Sequence, residues 1–133
     1  KYKEIELFEN LNIQDNISLK QGDDLDLKRL YRNASIFVTV STSEGFGLTP
    51  FEAISSGCPV VCSNIEVFKE NLKGCSYFVN PVNINDIKFG IENVLKNKIK
   101  KQKLINNGFK LIKNFTWDIT ASKTSEIYRK TFK

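Results

Sequence analysis

Apolar positions along this chain follow two periods. Ser35–Val40 (SIFVTV), Pro59–Ser63 (PVVCS) and Cys75–Asn80 (CSYFVN) are short runs of β-branched or aromatic residues bounded by Gly, Pro, Asn or Ser, the pattern of buried strands. A briefer run, Ile17–Leu19 (ISL), reads as a fourth strand. Elsewhere apolar residues recur every three or four positions, the spacing of one helix face. Helices are predicted at 2–11, with Ile5, Phe8 and Leu11 on one stripe, and at 25–32, burying Leu27, Leu30 and Tyr31. Others follow at 50–56, as a short turn at 67–72, at 84–96, at 100–114 with a mild break at Gly108, and at 117–131.

Strand and helix in alternation predict parallel strands joined by crossovers. The expected class is therefore α/β: a Rossmann-like open parallel sheet with helices on both faces. No linker, composition shift or repeat divides the sequence, so residues 1–133 are read as one domain. Such a sheet ordinarily opens on a strand and a glycine-rich turn, whereas this sequence starts in a helical pattern. It reads as the later part of a larger α/β domain.

Composition narrows the chemistry. A 41% hydrophobic content over 133 residues suits one core, and no apolar run approaches the length of a membrane span. The opening KYKEIELFEN carries charge where a signal peptide needs its apolar centre, which predicts a cytoplasmic protein. Cys58, Cys62 and Cys75 are odd in number, lie in or beside apolar segments and lack metal-site spacing, so buried reduced thiols are expected. With no histidine, imidazole serves neither as metal ligand nor as general base. The net charge of +5 is concentrated in KNKIKKQK, Lys96–Lys103. A solvated helix face is the ordinary explanation, with peripheral contact at an anionic membrane surface the weaker one. Nucleic acid is discounted because no aromatic residue interleaves the lysines.

One segment exceeds what folding requires. In SEGFGLTPFEA, Ser43–Ala53, two glycines and a proline follow a strand and two carboxylates bracket the turn. Ligands of open parallel sheets collect at the carboxyl ends of strands, where free amides and the dipole of a helix N-terminus favour a phosphate. Gly45 and Gly47 would let main-chain amides approach an anion closely. Thr49, Pro50 and Glu52 fit a capping box, with Thr49 at the N-cap and Glu52 folding back on it, which would by itself account for Glu52. Glu44 lies too early for that duty.

The stretch EGFGLTPFEAISSGCPVVCSN resembles the signature of retaining glycosyltransferases of family 4 (group 1), which have the two-domain GT-B fold. Glu44 and Glu52 have the Glu-x7-Glu spacing of that family. LKRLYRNASIFVTV before the turn, YFVNPVNINDIKFGIENVL after it and the closing KNFTWDITASKTSEIYRKTF extend the similarity over nearly all the chain beyond Asn10. The resemblance implies the C-terminal, donor-binding half of such an enzyme, lacking the N-terminal acceptor domain and the first strands of its own domain. It implies transfer of a sugar from a nucleotide-diphosphate-sugar to an acceptor hydroxyl with retention of configuration, in bacterial polysaccharide or lipid-linked saccharide assembly. That work is expected in the cytoplasm, with the inner face of the membrane as a place of contact. Glu52 would hold the ribose diol, and Glu44, the catalytic candidate, would lie at the transferred sugar. Amides of Gly45, Phe46 and Gly47 would meet the sugar, and those of Leu48 and Thr49, with the Thr49 hydroxyl, the diphosphate. Leu19 to Gln21 would form the nucleobase edge. No metal set is evident, and the nucleotide-sugar is substrate rather than cofactor.

Two departures qualify that likeness. The Arg and Lys that neutralise the diphosphate in relatives would precede Lys1, so a chain of this extent is expected to bind nucleotide weakly and to be inactive alone. IEVFKE lacks the glycine and proline often found after that strand. Trp117, Tyr128 and Phe132 form a stripe on the last helix that core packing ordinarily explains, and whose exposure would instead mark an absent partner surface. The rival reading is a noncatalytic α/β protein-interaction module whose turn is purely structural.

Overall fold

The computed structural model describes residues 2–132. In chain order its elements are α1 (Tyr2–Asn10), a 3-10 turn (Gln14–Asn16), α2 (Asp24–Asn33), β1 (Phe37–Thr39), α3 (Leu48–Ser55), β2 (Val60–Ser63), α4 (Glu66–Asn71), β3 (Ser76–Val79), α5 (Ile84–Lys96), α6 (Lys98–Ile112) and α7 (Trp117–Thr131). The strands form a parallel sheet in the order β1-β2-β3, with Phe37 opposite Val60 and Val60 opposite Ser76. Successive strands are joined through α3 and α4, the crossovers that parallel pairing requires.

Alternation along β2 sends side chains to two cores. Val60 and Cys62 pack with Phe51, Ala53 and Ile54 of α3 and with Phe68 and Leu72 beside them, while Val61 joins Val79, Val94 and Leu104 on the other face. All four residues of β2 are buried, as expected of a strand covered on both sides. Two glycines permit close layers: a Cβ on Gly90 would strike Val79, and one on Gly108 would strike Ile54. Gly108 therefore seats α6 against α3, and the helix runs through it unbroken.

Helix starts follow local chemistry. Asp23, Asn83, Asn97 and Thr116 each accept a main-chain N–H from the first turn of α2, α5, α6 and α7, respectively. All three cysteines are free and buried.

The structure departs from the sequence pattern in three places. Ile17–Leu19 forms no strand; it has no neighbouring ladder, and Leu19 is 78% exposed. A three-residue run has no strand character without a partner to pair with. Of the stripe on α2 only Tyr31 is buried, and Leu27 and Leu30 stay exposed, as does most of the α1 stripe. Finally, α7 has no buried residue: Trp117 is 88% exposed, and Tyr128 and Phe132 stack on each other in solvent with ring centroids 6.0 Å apart. The stripe on α7 is not core packing.

Candidate active site

The turn between β1 and α3 sits at the carboxyl rim of the sheet and is fastened from below. Asn71, at the end of α4, donates from Nδ2 to the carbonyl oxygen of Phe46 at 3.2 Å. The Phe46 ring stacks on Phe51 at 5.1 Å, and Phe115, from the link between α6 and α7, packs against both. Phe46 is thus an anchor of the turn.

The two glycines have different reasons. Gly47 is the N-cap of α3 and lies in the left-handed region, φ 84° and ψ 57°, with a Cβ excluded by the Phe68 ring. Both features demand glycine. Gly45 has no positive φ, and a Cβ there would meet nothing within 4 Å. The fold does not need a glycine at 45, and its open side leaves the main chain accessible.

The capping box expected at Thr49 is absent. Because Gly47 turns the chain early, α3 begins at Leu48, and Thr49 and Pro50 occupy its first turn, where proline lacks only an N–H that has no helical acceptor anyway. No side chain caps this helix. Its first amides, at Leu48 and Thr49, carry the partial positive charge of an uncapped N-terminus. Glu52 is freed from capping and lies on the exposed side of the second turn.

Glu52 instead accepts a hydrogen bond at Oε2 from the Tyr31 hydroxyl at 3.4 Å. Tyr31 is buried, its ring edge-on to Phe37, so its hydroxyl needs a partner. Burial first, and then the nearby Glu52 charge and its hydrogen bond, hold the Tyr31 phenol above its usual value. It stays a donor at neutral pH. Sequence reasoning assigned Tyr31 to the core alone; the signal was available, since a buried phenol calls for an acceptor. Asn71 was missed outright, because a contact 25 residues away leaves no local pattern.

Glu44 is exposed and makes no hydrogen bond or ion pair among the described residues. Leu19 lies in the irregular segment before α2, and Gln21 lines an open groove of about 590 Å³ along α2 with Lys20, Asp23, Asp24, Asp26 and Arg29. Asp26 there is paired with Arg29 at 3.3 Å, and Lys20 also lines the groove, so acidic and basic groups meet in it. No group of three or more potential metal ligands occurs among the described residues. The thiols are unreactive: burial pushes Cys62 up to about 12 against a slight opposing pull from Ser76, and it raises Cys58 and Cys75 as well.

Comparison with known proteins agrees with this architecture. The family of glycosyl transferases group 1 matches residues 1–111. An uncharacterized glycosyltransferase of Methanocaldococcus jannaschii is 32% identical over 108 residues, 77% of this chain and 27% of the relative. The O-antigen chain mannosyltransferase B of Escherichia coli is 33% identical over 106 residues, 80% of this chain and 28% of that protein. The solved structure of sucrose-phosphate synthase from Thermosynechococcus elongatus superposes with a TM-score of 0.88 at 25% identity, over 98% of this chain and 34% of the other. This chain thus spans between a quarter and a third of the length of these proteins. With an open parallel α/β sheet, a glycine turn at its carboxyl rim and this match over residues 1–111, the chain belongs to the group 1 glycosyltransferases.

Proposed function

We propose that this chain is the donor-binding part of a retaining glycosyltransferase, which moves a sugar from a nucleotide-diphosphate-sugar to an acceptor hydroxyl in glycan or lipid-linked saccharide assembly. The observation that carries the reading is the contrast within the turn. Gly47 is required by the fold, whereas Gly45 is not, and Gly45 stands beside an unpaired, exposed Glu44 and just before an uncapped helix start. A bare main chain next to free amides and a free carboxylate is what a sugar diphosphate needs.

In this reading Glu52 takes the ribose hydroxyls as a charged acceptor, with the Tyr31 hydroxyl 3.4 Å from Oε2 and Oε1 open. The amides of Leu48 and Thr49 and the Thr49 hydroxyl receive the diphosphate, and those of Gly45, Phe46 and Gly47 the sugar. As the glycosidic bond to the diphosphate breaks, negative charge gathers on the leaving oxygen, towards the N-terminus of α3. Each preorganised donor of this kind is worth roughly 3 kcal/mol of barrier. Glu44 orients the sugar hydroxyls and faces the positive charge growing at the anomeric carbon. Neither glutamate acts as a covalent nucleophile.

The cations that neutralise the diphosphate and the acceptor-binding domain are assigned to sequence upstream of Lys1. On that assignment the 133-residue chain binds nucleotide weakly and turns over no donor. Calorimetric titration with UDP, GDP and ADP tests the reading. One of the three should bind, and Glu52→Ala should weaken it by roughly tenfold or more, the loss of a charge-assisted hydrogen-bond pair. Silence with all three, or binding indifferent to Glu52→Ala, overturns it.

A further inference from the structure

Charge on this molecule is segregated. Residues 87–114, which cover most of α5 and all of α6, hold eight of the 20 basic residues and one of the 15 acidic ones, so the rest of the chain is net acidic. The one acid, Glu92, is taken by Lys96 at 2.7 Å. Lys100 turns inward, bonded to Asn93 at 2.5 Å and lying over the Tyr77 ring at 4.9 Å. Lys98, Lys103 and Lys110 face solvent and make no ion pair among the described residues.

Two large apolar side chains stand among these lysines. Phe89 is 59% exposed and Ile99 84% exposed, and both line an open groove at the α5–α6 elbow together with Lys96 and Lys98. Ile99, Lys103 and Lys110 are four and seven residues apart, one face of α6.

We propose that the α5–α6 elbow is a peripheral docking surface for an anionic phospholipid bilayer, with Ile99 and Phe89 entering the interface and Lys98 and Lys103 meeting headgroups. The pairing of protruding apolar tips with unpaired lysines fits an interface that is apolar within and negative outside. Duplex nucleic acid offers the charge but gives Ile99 nothing to enter. No described helix is long and apolar enough to cross a membrane, so the contact is at the surface. Its direction matters as well. α5 leaves the carboxyl end of β3, where the Asn80 amide bonds Asp86 at 2.6 Å, and Lys100 of α6 lies over Tyr77 near the strand's start. The elbow therefore sits towards the amino end of the sheet, away from the glycine turn, and docking leaves that turn open to water.

Co-sedimentation with vesicles of phosphatidylglycerol mixed into phosphatidylcholine, against phosphatidylcholine alone, tests the proposal. The chain should bind the anionic vesicles and release them as salt rises. Lys98→Gln and Lys103→Gln should each weaken binding roughly fivefold, and Ile99→Asp by roughly tenfold or more. All three positions are exposed, and circular dichroism checks that the variants fold. Absence of binding, equal binding to phosphatidylcholine alone, or unchanged affinity of Ile99→Asp each overturns the proposal. So does tighter binding to duplex DNA than to the vesicles.

Discussion

Substituting Gly47 by alanine tests the geometry of the turn. The native residue has φ 84° and ψ 57°, and an L-residue there costs about 1–2 kcal/mol. The added methyl is directed into Phe68, which is fully buried among α3, β2 and α4 and has no free volume to enter. Overpacking of this kind costs about 1–3 kcal/mol, while the stiffer unfolded chain returns about 0.4–1 kcal/mol. The net expectation is a loss of about 2–4 kcal/mol, a large part of the roughly 5–15 kcal/mol that holds a domain together. In urea the midpoint should fall by about 1–2 M. Gly45→Ala is the internal control; with ordinary φ and open space it should move stability by no more than about 0.5 kcal/mol. The clash and the backbone strain separate in a double-mutant cycle with Phe68→Leu. Shrinking the ring relieves the methyl but not the φ, so the pair should be less unstable than the sum of the singles by about 1 kcal/mol or more. A Gly47→Ala protein no less stable than Gly45→Ala, or strict additivity with Phe68→Leu, would refute the reasoning.

Two further outcomes follow from burial. Cys62 titrates at about 12 in the folded chain against a usual thiol value of 9.0, so the unfolded chain loses its proton first as pH rises. Stability should be flat below about pH 9 and decline towards pH 12, on the order of 3 kcal/mol over the full span. Cys62→Ala should make that decline shallower in urea melts at stepped pH, leaving the smaller share of Cys58 and Cys75, and an unchanged slope would count against the assignment. Gly108→Ala drives a methyl into Ile54 where α6 meets α3, a clash of about 1–3 kcal/mol against about 1 kcal/mol regained by alanine inside a helix, so the urea midpoint should fall by the equivalent of up to about 2 kcal/mol; a rise in stability would mean that the helices part freely.

Much of this fold was legible because its signals are local. The helices α5 and α7 run from Ile84 to Lys96 and from Trp117 to Thr131 as the apolar period predicts. The β-branched runs at Val60 and Tyr77 likewise became strands. What failed depends on contacts that spacing does not encode. Ile17–Leu19 has strand composition but no ladder beside it, and Leu27 and Leu30 have helical period but nothing packed over them. At α3, proline pointed to a first helical position that the left-handed Gly47 had already moved two residues upstream. The glycine turn itself was legible from Gly-Phe-Gly after a strand. Its fastening by Asn71 and Phe115 was not, because both arrive from distant elements.

The difference between the two glutamates follows from the same geometry. Glu44 is free in solvent, so on the proposed reading a ligand there would cost it its rotamer freedom, up to about 2 kcal/mol for such a side chain. Glu52 has lost part of that freedom already, because the Tyr31 phenol, itself locked against Phe37, bonds Oε2. A carboxylate held at one oxygen presents the other in a narrow range of directions, which favours recognition of a rigid pair of hydroxyls over a mobile group. Had Thr49 capped α3 with Glu52 folded back on it, as the sequence suggested, Oε1 would point at the helix start and compete with any phosphate there. The left-handed Gly47 prevents this by starting the helix at Leu48, which removes Glu52 from capping and leaves the first amides unoccupied. One backbone conformation thus frees the acid and the amides together, and it depends on a residue without a side chain facing Phe68.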